Sequence, residues 1–204
     1  MMKIEPTTLE GRYARLEPLA PHHAADLAAV AGDEEIWRYM PADLSTIERI
    51  RAWIDDTLAQ QAAGAALPFA TIERATGRAI GSTRYLTIMP KDRGVEIGWT
   101  WLARSAWRTA INSECKYLLL RHAFETLGCI RVQLKTDKRN ERSRRAIERI
   151  GGQFEGILRQ HMVLRDGAYR DSAYYSIIDS EWPAVKARLE AGLYGRPDDR
   201  MTSG

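Results

Sequence analysis

Two strand-to-helix junctions decide the fold of this chain: AWRTAINSE at residues 106–114 and KTDKRNERS at residues 135–143. Each follows a predicted strand and opens a predicted helix. A helix start carries backbone N–H groups without intrahelical partners and about half a positive charge, which makes it a natural seat for a phosphate. Two such junctions, close together along the chain, therefore indicate a grip on one elongated, phosphorylated ligand.

The composition is typical of a single soluble domain. The 204 residues are 45% hydrophobic and 28% charged, and a chain of this length can bury a core without disulfides or metal. With no run of about 20 apolar residues and no signal-like N-terminal segment, we expect a cytoplasmic protein without a membrane partner. The net charge of +3 gives no argument for nucleic acid as a partner. The two cysteines lack a CxxC spacing and the four histidines lack ligand spacing, so we predict neither a disulfide nor a metal site.

Periodicity and turn signals predict one mixed α/β domain at residues 9–190 and a flexible tail at 191–204. Strands are predicted at 13–19, 68–73, 79–89, 95–102, 130–136, 154–164 and 172–178. Helices are predicted to begin near residues 21, 45, 109, 140 and 182. Ser45, with Glu48 three residues later, is the predicted cap of the second helix. This order predicts a mixed sheet flanked by helices.

Several segments carry a resemblance to a known family: EIGWTW (96–101), NSECK (112–116), NERS (140–143), EGILR (155–159) and the stretch 167–182. In them the chain resembles the GNAT superfamily of N-acetyltransferases, and in particular its RimJ/RimL-like, ribosomal-protein branch. The resemblance implies a GNAT-type α/β (α+β) fold, with a mixed, splayed central sheet of about six to seven strands flanked by helices. It also implies that the sheet parts between the strands at 95–102 and 130–136, and that acetyl-CoA, the acetyl donor, lies in this opening.

The phosphate loop departs from the family pattern Q/R-x-x-G-x-G/A, because Trp107, Ala110 and Asn112 stand at its three defining positions. Glycine lets a backbone approach phosphate closely, but the donors are backbone N–H groups, which alanine and asparagine also have. We therefore expect acetyl-CoA to bind. The resemblance implies contacts from the first strand's edge and from both helix starts, through Trp99, Thr100, Trp101, Arg108, Thr109, Ala110, Ile111, Asn112, Asn140 and Ser143.

Acetyl transfer to an amine needs a neutral amine, a polarised carbonyl and a proton for the departing thiolate. In many family members a tyrosine donates this proton from the position that Ile147 occupies here. The resemblance implies Ser143 as the proton donor instead; the alternative is that its hydroxyl bonds only to its own helix or to the CoA chain. Glu96 is the candidate general base, with a pKa raised by an apolar strand, unless its side chain points to solvent or pairs with an arginine.

The acceptor side of the site is predicted from aromatic residues and one histidine. In the resembling family the first helical pair covers the acceptor, which implies substrate contacts for Trp37 and Tyr39, although most tryptophans are core residues. His161 is a further substrate-binding candidate, although a lone histidine on a strand is more often structural. The branch implies a protein or peptide N-terminal amine as the acceptor. A small amine acceptor and a non-catalytic acyl-CoA-binding module remain alternatives.

Two further surfaces follow from charge and aromatic content. The basic run at 135–149 indicates either a solvated helix face or contact with the 3′-phosphate of CoA. Members of the branch often form homodimers, and the C-terminal hairpin with the helix after it offers aromatic surface for such a contact: Tyr169, Tyr174, Tyr175 and Trp182.

Overall fold

A computed structural model describes residues 2–195 of the chain. One sheet has the strand order β1-β2-β3-β4-β5-β6-β8-β7. Its strands are β1 Leu9–Glu10, β2 Ala14–Pro18, β3 Ala66–Glu73, β4 Ala79–Met89, β5 Gly94–Leu102, β6 Arg131–Asp137, β7 Gln153–Val163 and β8 Tyr169–Ile178. The helices are α1 Ala24–Val30, α2 Glu34–Trp37, α3 Ile47–Ala62, α4 Ala110–Arg121, α5 Glu141–Arg149 and α6 Trp182–Tyr194.

The predicted fold class, a mixed α/β sheet flanked by helices, is confirmed, with differences in detail that include the unpredicted short helix α2. The sheet has eight strands rather than six or seven, because the two-residue β1 is too short to give a periodic signal. Thr46, not Ser45, caps α3, since its hydroxyl accepts the N–H of Arg49 at 3.3 Å. Helix α6 reaches Tyr194, so residues 191–194 of the predicted tail are helical. The rest of that tail, from 196 onward, lies outside the described residues.

The sheet has two unlike halves. In the covered half, β1 to β5, helices pack on both faces: α4 and α6 over one core cluster, and α1 to α3 over another. That second cluster extends from Leu19 to Trp101, and within residues 2–195 it includes none from β6, β7 or β8. The open half, β6-β8-β7, therefore has a helical layer on one face only. No helix within residues 2–195 has the length and apolarity to cross a bilayer.

Helix α4 is fixed to the covered half by one buried carboxylate. Glu114 accepts the backbone N–H groups of Arg12, Tyr13 and Ala14 at 2.8, 2.7 and 2.7 Å. It also accepts the hydroxyl of Tyr194 at 2.8 Å. These bonds join the first strands, α4 and α6, and so hold the start of α4 at a fixed place beside the sheet.

Candidate active site

Strands β5 and β6 run parallel but pair only at their starts. The paired residues are Gly94 to Glu96 on β5 and Arg131 to Gln133 on β6. A bulge at Trp99, whose φ is 50°, adds one residue to β5 relative to β4, and such a bulge bends its strand. Beyond Glu96 the edge of β5 therefore faces an opening, the gap, between the two halves of the sheet. The predicted parting of the sheet at this place is confirmed.

Helix α4 follows β5 after a connection of seven residues, 103–109. Thr109 is its N-cap, with a hydroxyl that accepts the N–H of Ile111 at 3.3 Å, and Arg108 has a left-handed φ of 62°. Of the predicted phosphate ligands, Ile111 thus has its N–H already engaged, and its side chain lies in the core. Arg108, Thr109, Ala110 and Asn112 keep their places around the positive end of α4, which attracts a phosphate.

Arginines gather around Trp107, between the two helix starts. The guanidinium carbon of Arg142 lies 3.5 Å from the centre of the Trp107 ring, and that of Arg104 lies 5.3 Å from it. Burial lowers the pKa of Arg142, and the charges of Arg104 and Arg108 act in the same direction. Positive charges held this close together favour an anion between them. Trp107 stands where the family pattern has Gln or Arg, and its ring holds Arg142 and Arg104 through cation–π contacts.

Most members of the predicted basic run pair with carboxylates instead of lying beside Trp107. The N···O distances are 3.2 Å for Lys135–Glu96, 2.7 Å for Lys138–Asp171, 2.7 Å for Arg139–Asp137 and 3.0 Å for Arg145–Glu141. The run is therefore largely a surface of ion pairs, and Arg142 is the member that turns towards Trp107.

The second junction presents a hydroxyl. Asn140 caps α5, and its Oδ1 accepts the N–H of Ser143 at 3.1 Å. The half-buried Ser143 has no hydrogen bond from its hydroxyl to any residue in the described part of the chain. Ile147, which stands at the family's tyrosine position, is buried and packs in the core. The Ser143 hydroxyl is thus available to a ligand.

Glu96 lies at the closed end of the gap and is 1% exposed. Its carboxylate accepts from Nε2 of Gln133 at 2.8 Å and pairs with Nζ of Lys135 at 3.2 Å. The ion pair matches the alternative given above, with a lysine in place of an arginine. Gly98 leaves room for this carboxylate, because a Cβ there would lie 3.1 Å from Glu96 Oε1.

His161 belongs to the same polar cluster, on the uncovered face of the open half. Nζ of Lys135 lies 5.7 Å from the ring centre of Tyr174, whose hydroxyl lies 3.1 Å from Nε2 of His161. Nδ1 of His161 lies 3.0 Å from the hydroxyl of Ser172. Burial, then Lys135 and Arg170, lower the pKa of His161, so that the imidazole is neutral at pH 7. The cluster links Glu96, Lys135, Tyr174 and His161.

The aromatic residues predicted to contact the acceptor lie in different surroundings. Trp37 is a core residue: it is 1% exposed, and its Nε1 donates to the carbonyl of Ala31 at 2.7 Å. Its ring centre lies 5.0 Å from that of Trp101. A four-residue helix such as α2 is one turn long, and periodicity cannot show which face of it is buried. Tyr39 is half-buried, with the guanidinium of Arg38 5.5 Å from its ring centre.

Thr100 and Trp101 offer only their backbone to the gap, because their side chains pack into the two cores. Thr100 Oγ1 accepts Nζ of Lys116 at 2.5 Å and lies 2.8 Å from Thr83 Oγ1. Burial lowers the pKa of Lys116 to about 8. The sequence analysis missed this lysine and also Arg84, which is 3% exposed on β4. No apolar run marks either residue, since Lys116 follows a polar stretch at 112–114 and Arg84 follows Ser82 and Thr83.

Half of the predicted dimer surface is core. Tyr175 is fully buried and Trp182 is 6% exposed, with its indole stacked on Phe124. Of the four aromatic residues, Tyr169 is the exposed one, at 65%. The exposed apolar surface of the open half lies on the edge strand β7, where Phe154, Leu158 and Val163 are each at least half exposed.

The adjacent histidines near the N-terminus also have a structural explanation. Ligand atoms of Glu17, His22 and His23 lie within 4.8 Å of one another. Both ring nitrogens of His23 are engaged, Nδ1 by the N–H of Ala20 at 3.1 Å and Nε2 by Glu17 at 3.3 Å. These bonds tie the turn at Pro21–His23 to β2.

Comparisons with known proteins agree with this geometry. A GNAT acetyltransferase domain model matches residues 14–153. The chain is 34% identical to a GCN5-related N-acetyltransferase from Brucella melitensis, with a TM-score of 0.88 over 96% of this chain and 88% of that one. The N-acetyltransferase YoaA of Bacillus subtilis, itself uncharacterised, is 27% identical over 80% of this chain and 92% of its own length. YdaF of Bacillus subtilis, provisionally named a ribosomal N-acetyltransferase, is 35% identical over 47% of this chain and 51% of its own length. The chain therefore belongs to the GNAT family of acetyltransferases.

Proposed function

We propose that this acetyltransferase moves an acetyl group from acetyl-CoA directly to the α-amine at the N-terminus of a protein or peptide. The observation that supports this proposal most directly is the gap. One strand edge is exposed along it, because β5 and β6 pair over only three residues. A helix start adjoins each of the two strands, and the arginines around Trp107 stand between these starts. This combination fits a long thiol ester with phosphates at one end.

The residues present fit the pantetheine arm and the pyrophosphate of acetyl-CoA. The backbone of β5 from Trp99 to Trp101 would pair with the amides of the pantetheine arm, and Asn140 has an amide that can both donate and accept. The start of α4 would hold the pyrophosphate through the N–H groups of Thr109 and Ala110, with Arg104 and Arg142 nearby. Acetyl-CoA would supply the activated acetyl carbonyl and a thiolate leaving group.

Two side chains would handle the protons. Ser143, whose hydroxyl is free beside the second helix start, would protonate the departing sulfur. Glu96, at the closed end of the gap, would accept the proton lost by the attacking amine, and Lys135 holds its carboxylate in place. Direct transfer is supported by the cysteines: burial raises the pKa of Cys115 to about 12 and that of Cys129 to about 11, so neither is a nucleophilic thiolate.

The acceptor class rests on likeness to the ribosomal-protein branch, including the provisional name of YdaF. An open face over β6 and β8, rather than a closed pocket, suits the end of a polypeptide. Such an enzyme would act in the cytoplasm, where acetyl-CoA and new N-termini occur together.

We also propose a homodimer, with β7 at the contact in place of the buried aromatic residues. β7 lies at the edge of the sheet, and an unpaired edge with exposed apolar side chains tends to find a partner. Light scattering at micromolar concentration should give twice the 23.1 kDa mass of the chain. A concentration-independent monomer contradicts this proposal.

The function is tested with acetyl-CoA and a set of acceptors, by release of free CoA thiol and by mass spectrometry of the acceptor. We expect acetylation of a C-terminally amidated peptide with a free N-terminus and none of the same peptide with a blocked N-terminus. Efficient acetylation of a polyamine or an aminoglycoside without any peptide product would overturn the acceptor class. Calorimetric binding of CoA without turnover on any amine would show a non-catalytic module.

A further inference from the structure

A groove of about 490 Å³ opens between α3 and the strands β4 and β5. Its floor and walls combine apolar and charged side chains: Leu44, Trp53, Arg84, Leu86 and Trp99. Asp43, Arg49 and Asp56 contribute further charged groups to the lining. A groove of this volume can take a small ligand or a few residues of a peptide.

Arg84 is the unusual member of this groove, because its charge is buried without a matching partner. It is 3% exposed, and its Nη1 donates to Oε1 of Gln60 at 3.2 Å. Its guanidinium carbon lies 4.6 Å from the ring centre of Trp99. Nε of Arg84 has no hydrogen-bond partner among the described residues. A buried polar group is normally hydrogen-bonded, and an orphaned donor needs an explanation.

The carboxylates near Arg84 are engaged elsewhere. Asp56 acts on Arg84 only through space, while its Oδ2 accepts from Nε2 of Gln60 at 2.7 Å. Asp43 pairs with Arg49 at 2.7 Å and with Arg165 at 3.5 Å, so its charge is offset. Burial lowers the pKa of Arg84 to about 10, and the guanidinium is still protonated at pH 7. The groove therefore contains a cation that an incoming carboxylate can neutralise.

The groove adjoins the gap on the same face of the sheet. In the register of β4 and β5, Arg84 stands opposite Gly98 and Leu86 opposite Glu96, and residues directly opposite each other share a face. The Glu96 carboxylate extends over Gly98. Two residues along a strand span about 7 Å. An extended peptide with its amine beside Glu96 would therefore bring its second or third residue near Arg84.

We propose, on the basis of the function proposed above, that Arg84 binds an acidic side chain at the second or third position of the acceptor peptide. A carboxylate would satisfy the orphaned Nε together with an Nη in a paired, charge-assisted contact. Trp53 and Trp99 would enclose the peptide between aromatic walls. The preference for acidic N-termini then comes from one buried cation rather than from the overall charge of the chain.

The test compares two C-terminally amidated tetrapeptides that differ only by glutamate or glutamine at both the second and the third position, with free glutamate as a third ligand. Calorimetry measures binding without acetyl-CoA, and thiol release measures transfer. We expect the wild-type protein to bind the glutamate peptide at least about tenfold more tightly. Arg84→Met should bring the two affinities within about twofold, and Arg84→Lys should keep part of the difference. Arg74→Met, which removes an exposed arginine paired with Glu10, is the control and should keep all of it.

The wild-type comparison stands even if Arg84→Met does not fold. Equal affinity for the two peptides overturns the inference, and so does tighter binding of free glutamate than of either peptide. The outcomes also separate this inference from the proposed function. A glutamate preference in binding without acetyl transfer supports the Arg84 site and contradicts the function. Transfer to both peptides at equal rates, without a preference in binding, supports the function and contradicts the Arg84 site.

Discussion

The covered and the open half of the sheet use their buried polar groups differently. In the covered half, Glu114 and Lys116 bond only to groups that the fold itself presents, namely backbone N–H groups, the hydroxyl of Tyr194 and two threonine hydroxyls. Beside the gap, Glu96 on the last strand of the covered half and His161 in the open half belong to one cluster next to an uncovered face. Polar groups enclosed by helices on both faces hold elements together, whereas those beside the gap or the groove, Arg84 among them, remain within reach of a ligand.

The largest expected effect is in the covered half. Glu114→Ala should lower the free energy of unfolding by about 3–5 kcal/mol, since it leaves three backbone N–H groups, that of the buried Ala14 among them, without an acceptor. Urea unfolding measures it. Glu48→Gln, an exposed change on α3, is the control and should stay within about 0.5 kcal/mol. A similarly small effect for Glu114→Ala would mean that the covered half does not depend on its buried carboxylate.

The next effect lies at the gap and should leave folding unchanged. As the donor of a proton to the thiolate, Ser143→Ala should lower kcat about ten- to a thousandfold with the KM for acetyl-CoA nearly constant. Ser180→Ala, in the turn before α6, is a matched control. Steady-state kinetics at saturating acceptor measures both. Full turnover by Ser143→Ala would assign the proton to water or to another side chain.

Lys116 contrasts with the residues beside the gap, because its burial should lower the stability of the fold and it has no proposed catalytic role. Its folded pKa of about 8 lies below the ordinary 10.5, so between these values the unfolded chain binds more protons and the lysine makes stability rise with pH. The slope is at most about 1.4 kcal/mol per pH unit. Lys116→Met should be at least as stable as the wild type near pH 7, because Thr83 and Thr100 still bond to each other.

The stability advantage of Lys116→Met should shrink as the pH rises from about 7 to about 10. Urea unfolding of both proteins across this range measures the difference. An advantage that stays constant would mean that burial does not lower the pKa of Lys116, and a large loss of stability in the variant at pH 7 would mean that the buried ammonium contributes to the fold.

The smallest effect tests whether the polar cluster of the open half is electrostatically linked. Lys135→Met should raise the pKa of His161, because it removes a nearby positive charge while the effect of burial persists. An NMR titration of the imidazole protons measures it. Lys138→Met, which removes an exposed lysine paired with Asp171, serves as the comparison. An unchanged or lower pKa in Lys135→Met would show that the two groups do not interact.

Sequence reasoning predicted best where local chemistry decides the structure. Thr109 and Asn140 sit at helix starts with short polar side chains, and both are N-caps. The bounds of β4 were predicted to the residue, because turn residues stand at both of its ends. Sequence reasoning was weakest where contacts between residues far apart in the chain decide the structure. The burial of Trp37 depends on its contact with Trp101, and the orphaned Nε of Arg84 depends on the placement of α3. No local pattern encodes either contact.

The bulge in β5 has a consequence for how such an enzyme can change over generations. It adds Trp99 as one extra residue, since two steps on β4, from Ser82 to Arg84, match three on β5, from Gly98 to Trp101. Past this extra residue, Thr100 faces α4 and Trp101 faces α1 to α3. The side chains of β5 therefore lie on the same faces of the sheet as those of their partners on β4. A single codon thus carries both the bend that parts the sheet and the indole over the groove. Its loss would straighten the strand and remove that wall together, so the shape of the gap and the shape of the groove are inherited as one unit.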